Sequence, residues 1–171
     1  MNYNPSTIGR IGDIHSGIRS ETGSLAAATY LLGAANTQTE LFTVIGRVKI
    51  LTLYLEVLTA LSNNACQVLF NCTFTTPVIG ANAMCGKCAT IAQAAQGQRI
   101  WWVGGAVATA AVLTDGAGLS DIAVTPQIIG GKDFVGSIGI LASDASLSSG
   151  TFMGVVHWVP MSDGAYVEAK L

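Results

Sequence analysis

The pattern of apolar and polar positions is that of β-strands from residue 41 onward. Residues 66–75 alternate between apolar and polar side chains, which predicts a strand with one face in a core and the other toward solvent or a partner. Residues 47–61 are apolar on both faces, with Leu53 expected on one face and Ile50 and Tyr54 on the other. This pattern predicts a central strand, or one whose second face is covered.

Shorter strand patterns follow along the chain, separated by glycines and small polar clusters. This arrangement is typical of a sandwich or a barrel. Residues 88–96 are expected to form a short helix or a loop. The remaining predicted strands are 41–45, 99–103, 111–114, 122–125, 127–129, 135–142 and 151–159. We therefore predict a mainly β protein, an antiparallel β-sandwich or jelly-roll-like domain with at most one or two short helices.

Residues 1–36 do not continue this pattern. Glycines interrupt the stretch, and neither the strand period nor the helix period persists. We predict an N-terminal extended arm over residues 1–36 and a β-sandwich domain over residues 37–171. A short helix over residues 24–35, capped by Ser24, is one interpretation of the end of the arm. A strand at residues 29–32 is the alternative.

Charged residues are scarce for a chain of this size. Only 11% of the 171 residues are charged, whereas 50% are hydrophobic and the net charge is -2. Because a soluble domain usually has about 25% charged residues, we expect that other subunits cover part of the surface. A surface rich in Ser, Thr, Asn and Gly is the alternative. We expect neither nucleic acid nor a membrane as a partner, since there is no basic patch and no apolar segment of spanning length.

Four cysteines are the main candidates for chemistry. Cys85 and Cys88 have the C-x-x-C spacing of zinc and redox sites. Cys66 and Cys72 are further apart and share the predicted inner face of one strand. Small buried hydrophobic side chains are therefore the favoured interpretation. A disulfide between Cys85 and Cys88, or from these to the other two, is left open.

The sequence shows no catalytic constellation. His157, Ser162 and Asp163 lie close together along the chain, but the G-x-S-x-G motif is absent and Asp163 is a natural turn residue. Phosphate-binding glycine motifs are also absent. We expect a protein that is not an enzyme and holds no cofactor. The tandem tryptophans Trp101 and Trp102 are expected to face opposite sides of a sheet, as core or interface residues.

Two segments of the chain carry a resemblance to a known family. Residues 156–167, VHWVPMSDGAYV, have the pattern of a strand, a proline stop, an Asp-Gly turn and a last short strand. They resemble the end of a family of small tailed-bacteriophage virion proteins, in which an aromatic strand leads into a VPLSDGA-x-V turn. Residues 41–57, LFTVIGRVKILTLYLEV, are similar to that family's LFTVTGGRVxILxLxGEV stretch. Ile45 and Leu55 depart from the family pattern, which affects the expected turn and bulge.

The resemblance covers about residues 38–168 and implies a structural role in a virion. We expect a capsid decoration, or cement, protein that forms a trimer or another closed ring and clamps neighbouring subunits of the major capsid protein. It would be assembled in the host cytoplasm and lie on the capsid surface. A tail, baseplate or fibre subunit is the alternative in that class, and a carbohydrate-binding module the alternative from another. The candidate interface residues are Arg10, His15, Arg19, Tyr54, Trp101 and Trp102.

Overall fold

The computed structural model describes residues 17–33, 38–104, 109–114 and 123–171. Within these ranges the chain forms two antiparallel sheets packed against each other, so the predicted β-sandwich is confirmed. Its single described helix, α1, is Ala27–Tyr30. The strands are β1 (Ile18–Glu21), β2 (Leu25–Ala26), β3 (Gln38–Ile45), β4 (Val48–Thr59), β5 (Cys66–Thr76), β6 (Val78–Ala83), β7 (Arg99–Trp102), β8 (Val112–Leu113), β9 (Gln127–Ile129), β10 (Val135–Asp144), β11 (Thr151–Pro160) and β12 (Tyr166–Ala169).

The strand order shows how the chain wraps around itself. The larger sheet has the order β1-β11-β4-β7-β8, with β2 also paired to β11 and β9 to β4. The smaller sheet has the order β12-β3-β10-β5-β6. Early strands thus pair with late ones in both sheets, β1 with β11 and β3 with β10. This nested order is that of a jelly roll.

Alternating side chains of β5 fill the core between the sheets, as the sequence pattern predicts. Cys66, Val68, Phe70, Cys72 and Phe74 are each at most 9% exposed. Most of the intervening positions on the outer face are only partly buried. The strand therefore has one face in the core and one at the surface, because successive side chains of a strand point in opposite directions.

Strand β4 departs from simple alternation at Leu51. Its pairing with β11 shifts register between Ile50 and Thr52, so Leu51 is an extra residue in the ladder. Ile50 and Leu53 are consequently both fully buried, and the expectation that they lie on opposite faces is wrong. The bulge also determines which later residues of β4 point away from the core, and Tyr54 is one of them.

The described part of the predicted arm lies on the sandwich and does not extend from it. Strands β1 and β2 both pair with β11, so the sandwich begins before residue 37. The helix is only four residues long, and its N-terminal cap is Ala26, which makes no side-chain hydrogen bond, rather than Ser24. These strands are too short for a period of two to appear in the sequence. Residues 1–16, with Arg10 and His15, are outside the described residues.

Two other segments differ from the predictions. Strand β6 follows the turn at Pro77, although its glycine, alanines and asparagine have low strand propensity. Residues 88–96 form a loop with turns, which confirms the second of the two predicted alternatives. The predicted strand at 122–125 contributes only a bridge from Thr125 to Gly104, and Ile122 is outside the described residues. In the described ranges, no helix is long and apolar enough to cross a bilayer.

Candidate assembly surface

A row of side chains crosses the outer face of the larger sheet. Directly paired residues of antiparallel strands point to the same face. Five strands contribute one residue each in continuous register: Glu21, Val155, Tyr54, Trp101 and Val112. Four of the five are apolar or aromatic. Val155 is fully buried and Tyr54 is 6% exposed, so Trp101 and Val112 form the accessible apolar part of this row, which ends on a carboxylate at the β1 edge.

An aromatic cluster lies at the centre of this face. The rings of Tyr54 and Trp101 have centroids 4.5 Å apart at an interplanar angle of 39°. The Arg99 guanidinium lies 5.1 Å from the Tyr54 centroid and 5.9 Å from that of Trp101. Its Nε donates to Glu56 Oε2 at 3.0 Å. Ring stacking, cation–π attraction and the ion pair together fix the cluster in one arrangement.

His157 borders the aromatic cluster on β11. Its Nδ1 is hydrogen-bonded to the Thr52 hydroxyl at 2.6 Å, and its ring centroid lies 6.5 Å from that of Tyr54. Burial, with a further contribution from the positive charge of Arg19, lowers the pKa of His157. The imidazole is therefore neutral at physiological pH. Arg19 itself pairs with Glu21 at 2.6 Å, and both side chains are about half exposed.

Three of the residues predicted from the sequence meet on this face: Arg19, Tyr54 and Trp101. Trp102 does not. It is fully buried between the sheets, and its indole N–H donates to the Met84 carbonyl oxygen at 3.0 Å. We therefore place Trp102 in the core and not among the interface residues. The expected opposite orientation of the two tryptophans is confirmed.

Sequence reasoning missed three members of this face: Glu56, Arg99 and His157. Glu56 and Arg99 are directly paired across β4 and β7, and His157 is paired with Thr52 across β4 and β11. Opposite charges at paired positions are a recognisable feature. That feature is visible only when the register is known, because the paired strands are far apart in the sequence.

The described cysteines are free thiols and all are buried. Beyond the end of β6, the segment that follows lies along β5 and completes its edge. The Phe70 N–H donates to Cys85 Sγ and the Val68 N–H to Cys88 Sγ, each at 3.3 Å. Cys88 N–H donates in return to the Val68 carbonyl oxygen at 2.9 Å. The two sulfurs therefore accept hydrogen bonds that the carbonyl oxygens of a neighbouring strand would otherwise accept. Both cysteines thus have a structural role.

The raised pKa values of the thiols also favour a structural role. Burial raises the pKa of Cys66 and that of Cys85 to about 11. A thiolate nucleophile or metal ligand needs a lowered pKa. In the ranges that the structure describes, no group of three or more His, Cys, Asp or Glu side chains is placed to hold a metal ion.

Stability is expected to fall as the pH rises from about 9 to about 11. Thiols of the unfolded chain ionise near pH 9.0, whereas Cys66 and Cys85 stay protonated in the fold until about pH 11. Alkali therefore favours the unfolded state. Guanidinium titrations at pH 8 and pH 10 measure the loss. The double variant Cys66→Ala/Cys85→Ala should lose less stability than the wild type over the same interval; an equal loss would show that other groups cause it.

An open pocket of about 510 Å³ lies beside the last strand. Its carboxylate, Glu40, pairs with Lys170 and accepts a hydrogen bond from the Ser137 hydroxyl at 2.8 Å. These two hydrogen bonds lower the pKa of Glu40. The Glu40 carboxylate and the Lys170 ammonium of this pocket are thus engaged with each other.

No family model, curated protein or solved structure matches this chain. The likeness to phage virion proteins rests on the two segments described above, and the fold brings these segments together. The Arg47 N–H donates to Ser162 Oγ at 3.0 Å, and the Met161 N–H donates to the Arg47 carbonyl oxygen at 2.8 Å. A Cβ on Gly46 would lie 2.9 Å from that of Ala165. The Ser-Asp-Gly turn therefore holds the β3–β4 turn in place.

Proposed function

We propose that this protein is a structural subunit of a bacteriophage virion, a capsid decoration protein that associates with itself through the outer face of its larger sheet. One observation carries the self-association: the Tyr54–Trp101–Arg99 cluster at the centre of that face. Trp, Tyr and Arg are the residues that most often dominate binding energy at protein interfaces. Here they are already ordered, so little conformational entropy is lost on association.

The two outer faces of the sandwich differ in a way that supports this choice. On the smaller sheet, the outer face carries a group of polar side chains that bond to each other, and its exposed apolar residues Tyr166 and Val135 lie toward one end. The Gln38 amide donates to the Thr73 hydroxyl at 3.0 Å, and Ser137 donates to Glu40. This polar group is well solvated by itself. The larger sheet instead has aromatic rings and the Arg99–Glu56 pair at its centre, and the Arg19–Glu21 pair at its β1 edge. Aromatic residues and Arg are enriched in interfaces.

The virion assignment is supported by the two sequence segments and by the low charge of the chain. A decoration protein acts through many weak contacts repeated over a lattice, so a modest interface per copy is sufficient. Self-association into a closed ring multiplies those contacts. The jelly-roll sandwich supplies a rigid body for such a clamp.

Carbohydrate binding is the less favoured function for the same face. A sugar site needs polar groups that converge on a ligand beside an exposed ring. Here the Arg99 guanidinium is paired with Glu56, and the His157 ring with Thr52. These polar groups are therefore engaged with each other and not directed at a ligand.

The association state tests the role of the face. We expect the wild type to form a trimer or another closed ring by light scattering, and Trp101→Ala to lower the mass by disrupting it. Trp101→Phe, which keeps an aromatic ring over Tyr54, is the control and should retain the ring. A wild type without this association, or a Trp101→Ala variant of unchanged mass, would overturn the proposed interface.

The virion role has its own test. Purified particles of the phage that encodes the chain should contain it at a copy number comparable to that of the major capsid protein, as measured by quantitative mass spectrometry. Electron cryomicroscopy should then place it on the capsid surface. A few copies located at the tail would instead identify a tail subunit, and absence from the particles would refute a virion role.

A further inference from the structure

The hairpin formed by β5 and β6 projects an apolar tip. Val78 is 87% exposed and its neighbour Ile79 is 49% exposed. The residues that lead into the turn, Thr75 to Pro77, are exposed as well. No charged residue occurs in β5 or β6. Adjacent apolar side chains with this exposure belong to an apolar patch, and contiguous patches of this kind mark interaction sites.

At the same end of the molecule, the outer face of the smaller sheet also carries exposed apolar side chains. Tyr166, Ile45 and Val135 are paired in register across β12, β3 and β10. Tyr166 is 40% exposed and Val135 is 38% exposed. Val135 is in turn paired with Thr76, which adjoins the turn of the hairpin. We call the set of Tyr166, Ile45, Val135, Val78 and Ile79 the end ridge.

Charges of both signs surround the end ridge. Turns 46–47, 131–134 and 161–165 meet at this end, since the Gly46 N–H donates to the Phe134 carbonyl oxygen and Arg47 bonds to the third turn. They carry two cations and two anions, all exposed: Arg47, Lys132, Asp133 and Asp163. None of the four forms an ion pair with another described residue. They are available to a partner.

We infer that the end ridge is a second self-association site, where it meets the end ridge of another copy about a two-fold axis. A two-fold contact places the same patch on both sides, so the patch must complement itself. An apolar ridge with balanced charges around it satisfies this condition, because each cation of one copy can face an anion of the other. A partner with a surface of one sign would leave half of these charges unmatched.

The contact is made by side chains rather than by extension of the sheet. The pairing of β5 with β6 shifts register at Ile79, and Gly80 has a φ of +75°. Such a bulge twists an edge strand away from continuous pairing with another strand. The projecting tip is then free to pack its two apolar side chains against the second copy.

This site is separate from the aromatic face of the larger sheet, so its effect adds to that of the ring. Copies joined through both sites would form pairs of rings. The mass of the wild type should therefore be twice that of the ring at high protein concentration, by sedimentation equilibrium. Val78→Asp should return the mass to that of a single ring, because it places a charge in the apolar contact.

Asn82→Asp is the matched control, since it adds the same charge to an exposed position of β6 outside the end ridge. It should keep the mass of the wild type. A Val78→Asp variant with the wild-type mass would overturn the inference, as would an equal loss in both variants. Trp101→Ala separates the two sites: it should remove the ring but leave dimers that Val78→Asp dissociates. Dimers that persist in the double variant would also overturn the inference.

Discussion

Trp102→Ala is expected to lower the free energy of unfolding by about 4 kcal/mol. The side chain is fully buried between the two sheets, so its removal leaves a cavity that the neighbouring strands can fill only in part. It also removes the indole N–H that donates to the Met84 carbonyl oxygen at 3.0 Å. An acceptor left without its donor in the core adds to the cost.

The adjacent residue provides a matched control for this prediction. Trp101→Ala removes the same side chain from the outer face of the same strand, where it is only partly buried. We expect it to cost roughly 1 kcal/mol within the folded subunit, because most of the lost contact is with Tyr54. Guanidinium titrations at one fixed protein concentration compare the two variants. Equal losses would contradict the assignment of Trp102 to the core and Trp101 to the surface.

Gly136→Ala is expected to destabilise the fold by about 3 kcal/mol, at the upper end of the cost of overpacking. A Cβ at this position of β10 would lie 2.2 Å from the Thr73 carbonyl oxygen and 2.6 Å from Phe74 Cδ1. The first of these atoms belongs to the backbone of β5 and cannot rotate away. The two strands must separate locally, which breaks pairing in the centre of the smaller sheet.

Gly23→Ala is the control for this substitution, because an added Cβ there meets nothing within 4 Å. We expect a change within about 0.5 kcal/mol. Thermal unfolding measures both variants, and a loss of about 3 kcal/mol corresponds to a melting temperature roughly 6 to 12 °C lower. If the Gly136→Ala and Gly23→Ala variants had the same melting temperature, β5 and β10 would be less closely packed than described.

The long strands could be predicted from the sequence because their burial pattern is local. Strand β5 alternates over its whole length, and the aromatic and branched residues of β4 and β11 mark long buried runs. Strands β1, β2 and β6 could not be predicted in the same way. They are two to six residues long and lie at or near sheet edges, where few positions are buried and no period appears.

The candidate surface was only partly predictable for a related reason. Tyr54 and Trp101 could be named from the sequence as candidate interface residues, because aromatic side chains are common in interfaces. Which of two adjacent tryptophans faces outward depends on the sheet that covers the strand. The pairing of Arg99 with Glu56, and of His157 with Thr52, depends on the register between strands.

The amino-acid pattern alone predicts a mainly β, charge-poor chain with a strong apolar period in its long strands. That period depends only on neighbouring residues, since successive side chains of a strand alternate in direction. Three features became visible only in the folded chain. Leu51 forms a bulge, Cys85 and Cys88 complete a sheet edge, and the aromatic cluster and the end ridge are separate surfaces. These features depend on contacts between residues far apart in the sequence, such as that of Thr52 with His157, which are separated by 105 positions. No local pattern specifies such a pairing, because register is set by the fit of whole strands.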